Sequence, residues 1–189
     1  MRMCPSGSIR SLAFLYMLVM LLGGCSTLGP TESVQGPVAL NKAVVEIPEN
    51  QLLDVWIELF DPGELPEDEE EAAGLSMDIR EAEARFIPEQ LRATMETTGY
   101  WGAVRVVPQD ITGSELLVGG TIIDSDGEQL VLQIRAYDAT GLKWFERVYD
   151  QELIEGVYKA RSLIRNAPAQ DVFQSLYNRI ANDLAEFRR

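Results

Sequence analysis

The stretch QLVLQIRAY, residues 129–137, decides the fold because its residues alternate in polarity between two turn signals. One face carries Leu130, Leu132, Ile134 and Ala136, and the other carries Val131, Gln133, Arg135 and Tyr137, which is typical of a half-buried strand. Asp126-Gly127 precedes it as a hairpin signal, and the turn sequence DATG follows at 138–141. Similar patterns at 115–124 and 142–152 complete the prediction of a three-stranded antiparallel meander.

Further strands are predicted upstream of the meander. Residues 43–47 read as a short strand that ends at Pro48, and residues 103–107 read as another. The stronger prediction is a strand over 52–60. Alternation places Val55, Ile57 and Leu59 on one face, and Trp56, Glu58 and Phe60 on the opposite face.

Two helices complete the predicted fold. The first spans 77–98 and is expected to kink or divide at Pro88. Its expected buried stripe consists of Ile79, Ala82, Phe86, Leu91 and Met95. The second is a C-terminal amphipathic helix over 169–188. The order strand, helix, strand, meander, helix predicts an α+β fold, a two-layer sandwich within a single domain at 43–189.

The first 24 residues have the features of a secretory signal. Arg2 and Arg10 precede the apolar run 12–22, which is shorter than the roughly 20 residues that a membrane-spanning helix needs. A plain secretory signal and an uncleaved anchor are the alternatives. Residues 25–42 are rich in Gly and Pro and lack periodicity, so we expect a flexible tether there.

The sequence Leu22-Gly23-Gly24-Cys25 resembles the lipobox of bacterial lipoproteins. The resemblance implies cleavage between Gly24 and Cys25 and attachment of lipid to Cys25. Ser26 follows the cysteine, and the absence of aspartate there resembles lipoproteins carried to the outer membrane. The expected location is therefore the outer membrane of a diderm bacterium, with the domain facing the periplasm and the lipid as its membrane contact.

Composition excludes several classes of function. The chain has 16 basic and 30 acidic residues, a balance that argues against nucleic-acid binding. It has no histidine, and its two cysteines are Cys4 in the signal and Cys25. Catalysis by histidine-based triads or thiolates and zinc sites containing histidine are therefore excluded. We expect no cofactor, no metal and no catalytic residue.

Two features remain as candidate sites. Asp124-Ser125-Asp126-Gly127-Glu128 offers oxygen ligands, but Arg135 stands where a calcium loop requires its distal glutamate, so a hairpin turn is favoured. Trp56, Phe60 and Tyr137 are predicted to share a sheet face. If no helix covers that face, it is a candidate binding surface.

Two strands resemble a known kind of lipoprotein domain. LLVGGTII at 116–123 and VLQIRAYDATG at 131–141 are similar to strands of curli-secretion-type periplasmic domains. Outer-membrane lipoprotein activators of cell-wall synthases share that domain plan, as does the N-terminal domain of the Tol–Pal propeller protein. These relatives act by binding, so the resemblance implies a non-catalytic role. The chain lacks the long hairpins from which the curli channel builds its pore.

The leading interpretation is a lipid-anchored binding or assembly module, a scaffold with an envelope protein as its partner. A binder of small ligands or glycans, using Trp56 and Tyr137, is the second hypothesis. A hydrolase based on carboxylates is the third, and it would need two carboxylates about 5–10 Å apart in an open cleft.

Overall fold

The computed structural model describes residues 31–33, 36–67, 72, 75–153 and 172–188. Its elements in chain order are β1 (Thr31–Ser33), β2 (Leu53–Glu58), α1 (Met77–Glu96), β3 (Trp101–Val107), β4 (Leu116–Ser125), β5 (Gln129–Asp138), β6 (Lys143–Glu152) and α2 (Gln174–Phe187). The described residues form an α+β fold, with two α-helices and one mixed sheet.

The sheet consists of five long strands, and β1 extends one edge. Its order is β1-β6-β5-β4-β2-β3. Strands β4, β5 and β6 form the predicted meander, with bulges in both pairings. Strand β2 is inserted between β3 and β4 and runs parallel to both. The meander therefore continues into a parallel β2–α1–β3 unit, in which the helix makes the crossover.

Both helices lie on one face of the sheet and bury a common apolar core. Helix α1 contacts β2, β3 and β4, while α2 contacts β6 and α1. On the strands, alternate residues enter this core, including Val55, Ile57, Val118, Leu132 and Ile134, all fully buried. At about 25 cal/mol per Å² of apolar surface, such burial is the main source of stability for the fold.

Helix α1 differs from its prediction in two respects. It is one helix with Pro88 inside it, not two short ones. Its predicted buried stripe was wrong in part, because Ile79, Ala82 and Phe86 are exposed. The residues that face the sheet and α2 are Arg80, Ala84, Ile87, Pro88, Leu91, Thr94 and Met95. In the first turns the inward face is thus displaced by about one residue from the hydropathy pattern, whereas Leu91 and Met95 are buried as predicted.

The segment 36–43, which we call the strap, lies along α2. Asn178 donates a side-chain hydrogen bond to the Val38 carbonyl at 2.7 Å, and the Val38 amide donates to Ser175 at 3.2 Å. Asn182 donates to the Ala39 carbonyl at 2.9 Å and accepts from the Asn41 amide at 2.8 Å. The strap and β1 belong to the stretch predicted as a flexible tether, so the described part of that stretch lies on the domain.

The predicted strand at 43–47 does not form. The Ala43 amide donates to the carbonyl of Thr98, just after α1, and Ala43 and Ile47 pack against the core. Val44 and Val45 between them are exposed. Residues 43–47 are therefore held as an irregular segment without a neighbouring strand.

Candidate functional site

The sheet surface opposite the helices, which we call the open face, is the candidate site. Strand register sets which side chains share it, because directly paired residues project to the same side. Trp56 pairs with both Arg105 and Leu117, and Leu117 pairs with Tyr137. These four residues form a row across β3, β2, β4 and β5. No helix or strand of the described ranges covers this row.

The row combines apolar and cationic character. Trp56, Leu117 and Tyr137 are half-buried, and Arg105 is exposed. The loop after β3 approaches one end of the row, where a Cβ at Gly113 would lie 3.7 Å from the Trp56 ring. Half-buried aromatic side chains of this kind are the residues that protein interfaces favour.

A second row on the open face is charged. Arg135 Nη2 lies 3.5 Å from Glu58 Oε2, and the pair crosses over Gly119 on the intervening strand. A Cβ at Gly119 would lie 2.7 Å from Glu58 Oε2 and 2.8 Å from Arg135 Nε. The glycine therefore leaves the space in which the two charged side chains meet.

The ends of the charged row are fixed by further polar contacts. Glu58 accepts a hydrogen bond at 3.2 Å from the amide of Asp110, which has a positive φ of 61°. At the other end, Glu146 accepts from Gln133 at 3.0 Å and lies 2.8 Å from Lys143 Nζ. The hydrogen bond and the ion pair with Glu146 raise the pKa of Lys143. The charges on this face are therefore largely paired.

The prediction for Phe60 was wrong. Phe60 follows the end of β2, where the strand alternation stops, and its ring is buried on the helix side of the sheet. There it lies over Gly120, because a Cβ on that glycine would stand 2.7 Å from three ring atoms. Its amide donates to the Ala84 carbonyl of α1 at 2.9 Å. Of the three predicted residues, Trp56 and Tyr137 share the open face and Phe60 does not.

The acidic stretch 124–128 forms the hairpin turn between β4 and β5. Asp126 Oδ1 accepts hydrogen bonds from the backbone amides of Gln129 and Glu128, and these bonds lower the pKa of Asp126. Asp124 instead pairs with buried Arg80, 3.2 Å away. Within the described ranges, no three histidine, cysteine or acidic residues come together in a metal-binding group.

A polar group beneath this hairpin is buried. Arg80 keeps Nε and Nη1 without a partner, and so does Oε2 of Glu83. The other oxygen of Glu83 accepts from the Ser125 hydroxyl at 2.9 Å. The group links the first turns of α1 to the end of β4.

On the helix side, a buried carboxylate joins α2 to β6. Asp183 Oδ2 accepts from Arg147 and from the Tyr149 hydroxyl, each at 2.9 Å. The Arg147 guanidinium also lies over the rings of Phe145 and Phe187. Desolvation, and then the Asp183 charge, raise the pKa of Tyr149. These contacts connect two elements within the core, away from the open face.

Sequence reasoning missed Glu58, Gly119 and Arg135 as neighbours. The available signal was Gly119-Gly120 inside a strand, since glycine there marks close approach of other groups.

Gly24 and Cys25, the predicted cleavage and lipidation residues, lie outside the described residues. Neither described helix is both long and apolar enough to cross a membrane.

Comparison with known proteins gives no family, because the chain matches no family model and has no significant match among curated proteins.

Proposed function

We propose that the chain is a lipid-anchored protein of the bacterial envelope that binds another envelope protein through the open face and catalyses no reaction. The observation that carries this proposal is the row Arg105–Trp56–Leu117–Tyr137 on that face. The lipobox-like Leu22-Gly23-Gly24-Cys25 supports the anchor and the outer-membrane location. The lack of histidine in the chain supports a role in binding.

The composition of the open face favours a protein partner. Its aromatic and aliphatic side chains are flanked by charge pairs that are already satisfied, so a partner can cover the apolar row without leaving a new unpaired charge. Arg105 is exposed and lies 3.8 Å from Asp54, a weak pairing that leaves the guanidinium accessible to a partner's carboxylate. The resemblance to assembly-factor lipoprotein domains agrees with such a role.

Site-specific photocrosslinking in intact cells tests the proposal. A photoreactive amino acid at Leu117 or Tyr137 should yield one discrete crosslinked protein. The matched control positions are Glu81 and Arg85, which are exposed on the outer side of α1. They should give no such product, and Trp56→Ala should weaken the product from Leu117.

The outcome separates the alternatives. Equal products from both sides of the domain, or none from the open face, would contradict a protein-binding role for that face. A glycan or small-ligand binder would instead show a rise in Tm with envelope glycans or lipids, which Trp56→Ala and Tyr137→Ala would abolish.

A further inference from the structure

Strand β1 lies at one edge of the sheet. Residues Thr31–Ser33 pair in parallel with Val148–Asp150 of β6, at the sheet edge farthest from β3. The backbone of the strap that follows is hydrogen-bonded to the side chains of Ser175, Asn178 and Asn182 on α2. Residues 31–33 and 36–42 thus already lie on the domain, within the stretch expected as a tether.

The number of residues left before β1 limits the reach of the anchor. Five residues, 26–30, separate Cys25 from Thr31. At no more than about 3.6 Å per residue, Thr31 lies within about 20 Å of Cys25. The roughly 16 residues expected as a tether would have allowed about 55 Å.

We propose that the membrane surface lies against the β1–β6 edge of the sheet, and that the β3 edge points away from it. The inference rests on the proposed lipidation of Cys25. Six strands spaced at about 4.8 Å make the sheet about 24 Å wide, which exceeds the longest distance that residues 26–30 can span between Cys25 and Thr31. A sheet with its β3 edge against the bilayer would place β1 beyond that distance, so the β1–β6 edge lies nearer to the bilayer. In the proposed orientation the open face is parallel to the membrane normal.

This orientation restricts the partner. A protein that binds the open face must stand beside the domain, within one domain diameter of the leaflet. Partners deep in the periplasm are excluded unless they reach the membrane. The formal net charge of −14 makes anionic lipid repel the domain, which opposes insertion of this edge into the leaflet.

The three tryptophans of the chain allow a direct test, since they lie on different strands. Trp144 is on β6, next to β1, while Trp56 and Trp101 are on β2 and β3. In residues 25–189, Cys25 is the sole cysteine, so a maleimide lipid can be coupled to it chemically. Energy transfer to a fluorescent headgroup is then measured in phosphatidylcholine vesicles for each single-tryptophan variant, made by Trp→Phe replacements.

The expected order of transfer efficiency is Trp144, then Trp56, then Trp101, with about a twofold difference between the extremes across the four strand spacings that separate β6 from β3. Insertion of 12 Gly/Ser residues after Ser26 should reduce all three efficiencies and remove the order. Equal transfer from all three tryptophans without the insertion, or the highest transfer from Trp101, would overturn the proposal. Variants with a single Trp→Phe replacement disturb the core less. The transfer lost from wild type in each of them gives the contribution of the replaced tryptophan.

A second measurement tests the pairing of β1 itself. Ser33→Cys and Asp150→Cys, made together in a Cys25→Ser background, place two cysteines at directly paired positions. Rapid, near-complete disulfide formation is expected, whereas the offset control pair Ser33→Cys with Glu152→Cys should form little. Equal oxidation of both cysteine pairs would contradict the pairing of β1 with β6. Because neither measurement depends on lipidation in the cell, failure of the anchor proposal would appear separately, in the processing of Cys25.

Discussion

The side-chain amide of Asn178 donates a hydrogen bond to the carbonyl of Val38, 2.7 Å away and 140 residues earlier in the chain. Asn178 is buried, and its side-chain oxygen accepts from Gln174 at 3.0 Å. Asn178 is therefore the buried side chain among the three on α2 that hold the strap, and it pairs a backbone carbonyl that would otherwise lack this partner.

Asn178→Ala is expected to destabilise the domain by about 1–3 kcal/mol, because the Val38 carbonyl loses its partner. Asn182→Ala is the matched control, since the contacts of Asn182 with Ala39 and Asn41 are exposed and water can replace them. Urea unfolding measures both variants. Equal losses, or a larger loss for Asn182→Ala, would contradict the assigned role of Asn178.

Gly120→Ala should cost about 1–3 kcal/mol, because its new Cβ would overlap the Phe60 ring. Phe60→Leu leaves more space above the same position. In the double variant, the cost of Gly120→Ala should fall measurably below its cost beside Phe60. Thermal unfolding of the four proteins in this cycle provides the test, and strictly additive effects would argue against the contact.

Glu58→Ala should destabilise the domain by about 1–3 kcal/mol, since Glu58 is buried and supports the Asp110 amide. Arg135→Met should cost less, because the guanidinium side chain is 41 % exposed and water screens the pair. Denaturant midpoints compare the two variants. A greater loss for Arg135→Met would mean that the ion pair matters more than the loop contact.

The raised pKa of Tyr149 makes stability depend on alkaline pH. Unfolding returns the pKa of the Tyr149 hydroxyl to its ordinary value of 10.0. Above pH 10 the unfolded state therefore binds fewer protons than the native state. The stabilisation is complete below pH 10 and declines as the pH rises further, by up to about 1.4 kcal/mol per pH unit. In Tyr149→Phe, the unfolding free energy should lack this part of the decline above pH 10.

Unfolding free energies measured from pH 8 to 11 for wild type and Tyr149→Phe check this prediction. The difference between the two curves removes the contribution of other tyrosines and of lysines. Parallel curves over the whole range would show that Tyr149 titrates normally in the native protein.

The meander was predictable because its three strands alternate cleanly and are joined by short turns. In Leu130, Leu132, Ile134 and Ala136, burial on one sheet face is encoded directly in the sequence. The parallel position of β2 between β3 and β4 was not predictable, because no local signal specifies which neighbour follows a crossover.

The errors on α1 and Phe60 have physical causes in tertiary contacts. Hydropathy placed Ile79 and Phe86 inside, whereas buried Arg80 takes the inward position through its contact with Asp124. Phe60 reverses its side because regular pairing of β2 ends at Glu58. Trp56 and Tyr137 lie within regular strands, so alternation placed them correctly on the open face.

The most direct test of the account is mass spectrometry of the N-terminal peptide from protein purified out of native membranes. We expect a chain that begins at Cys25 and carries diacylglycerol on the Cys25 sulfur and an acyl chain on its amino group. Cys25→Ala should then be neither processed nor lipidated. A mature N-terminus elsewhere, or a Cys25→Ala product that is cleaved and retained in the membrane as wild type is, would contradict it.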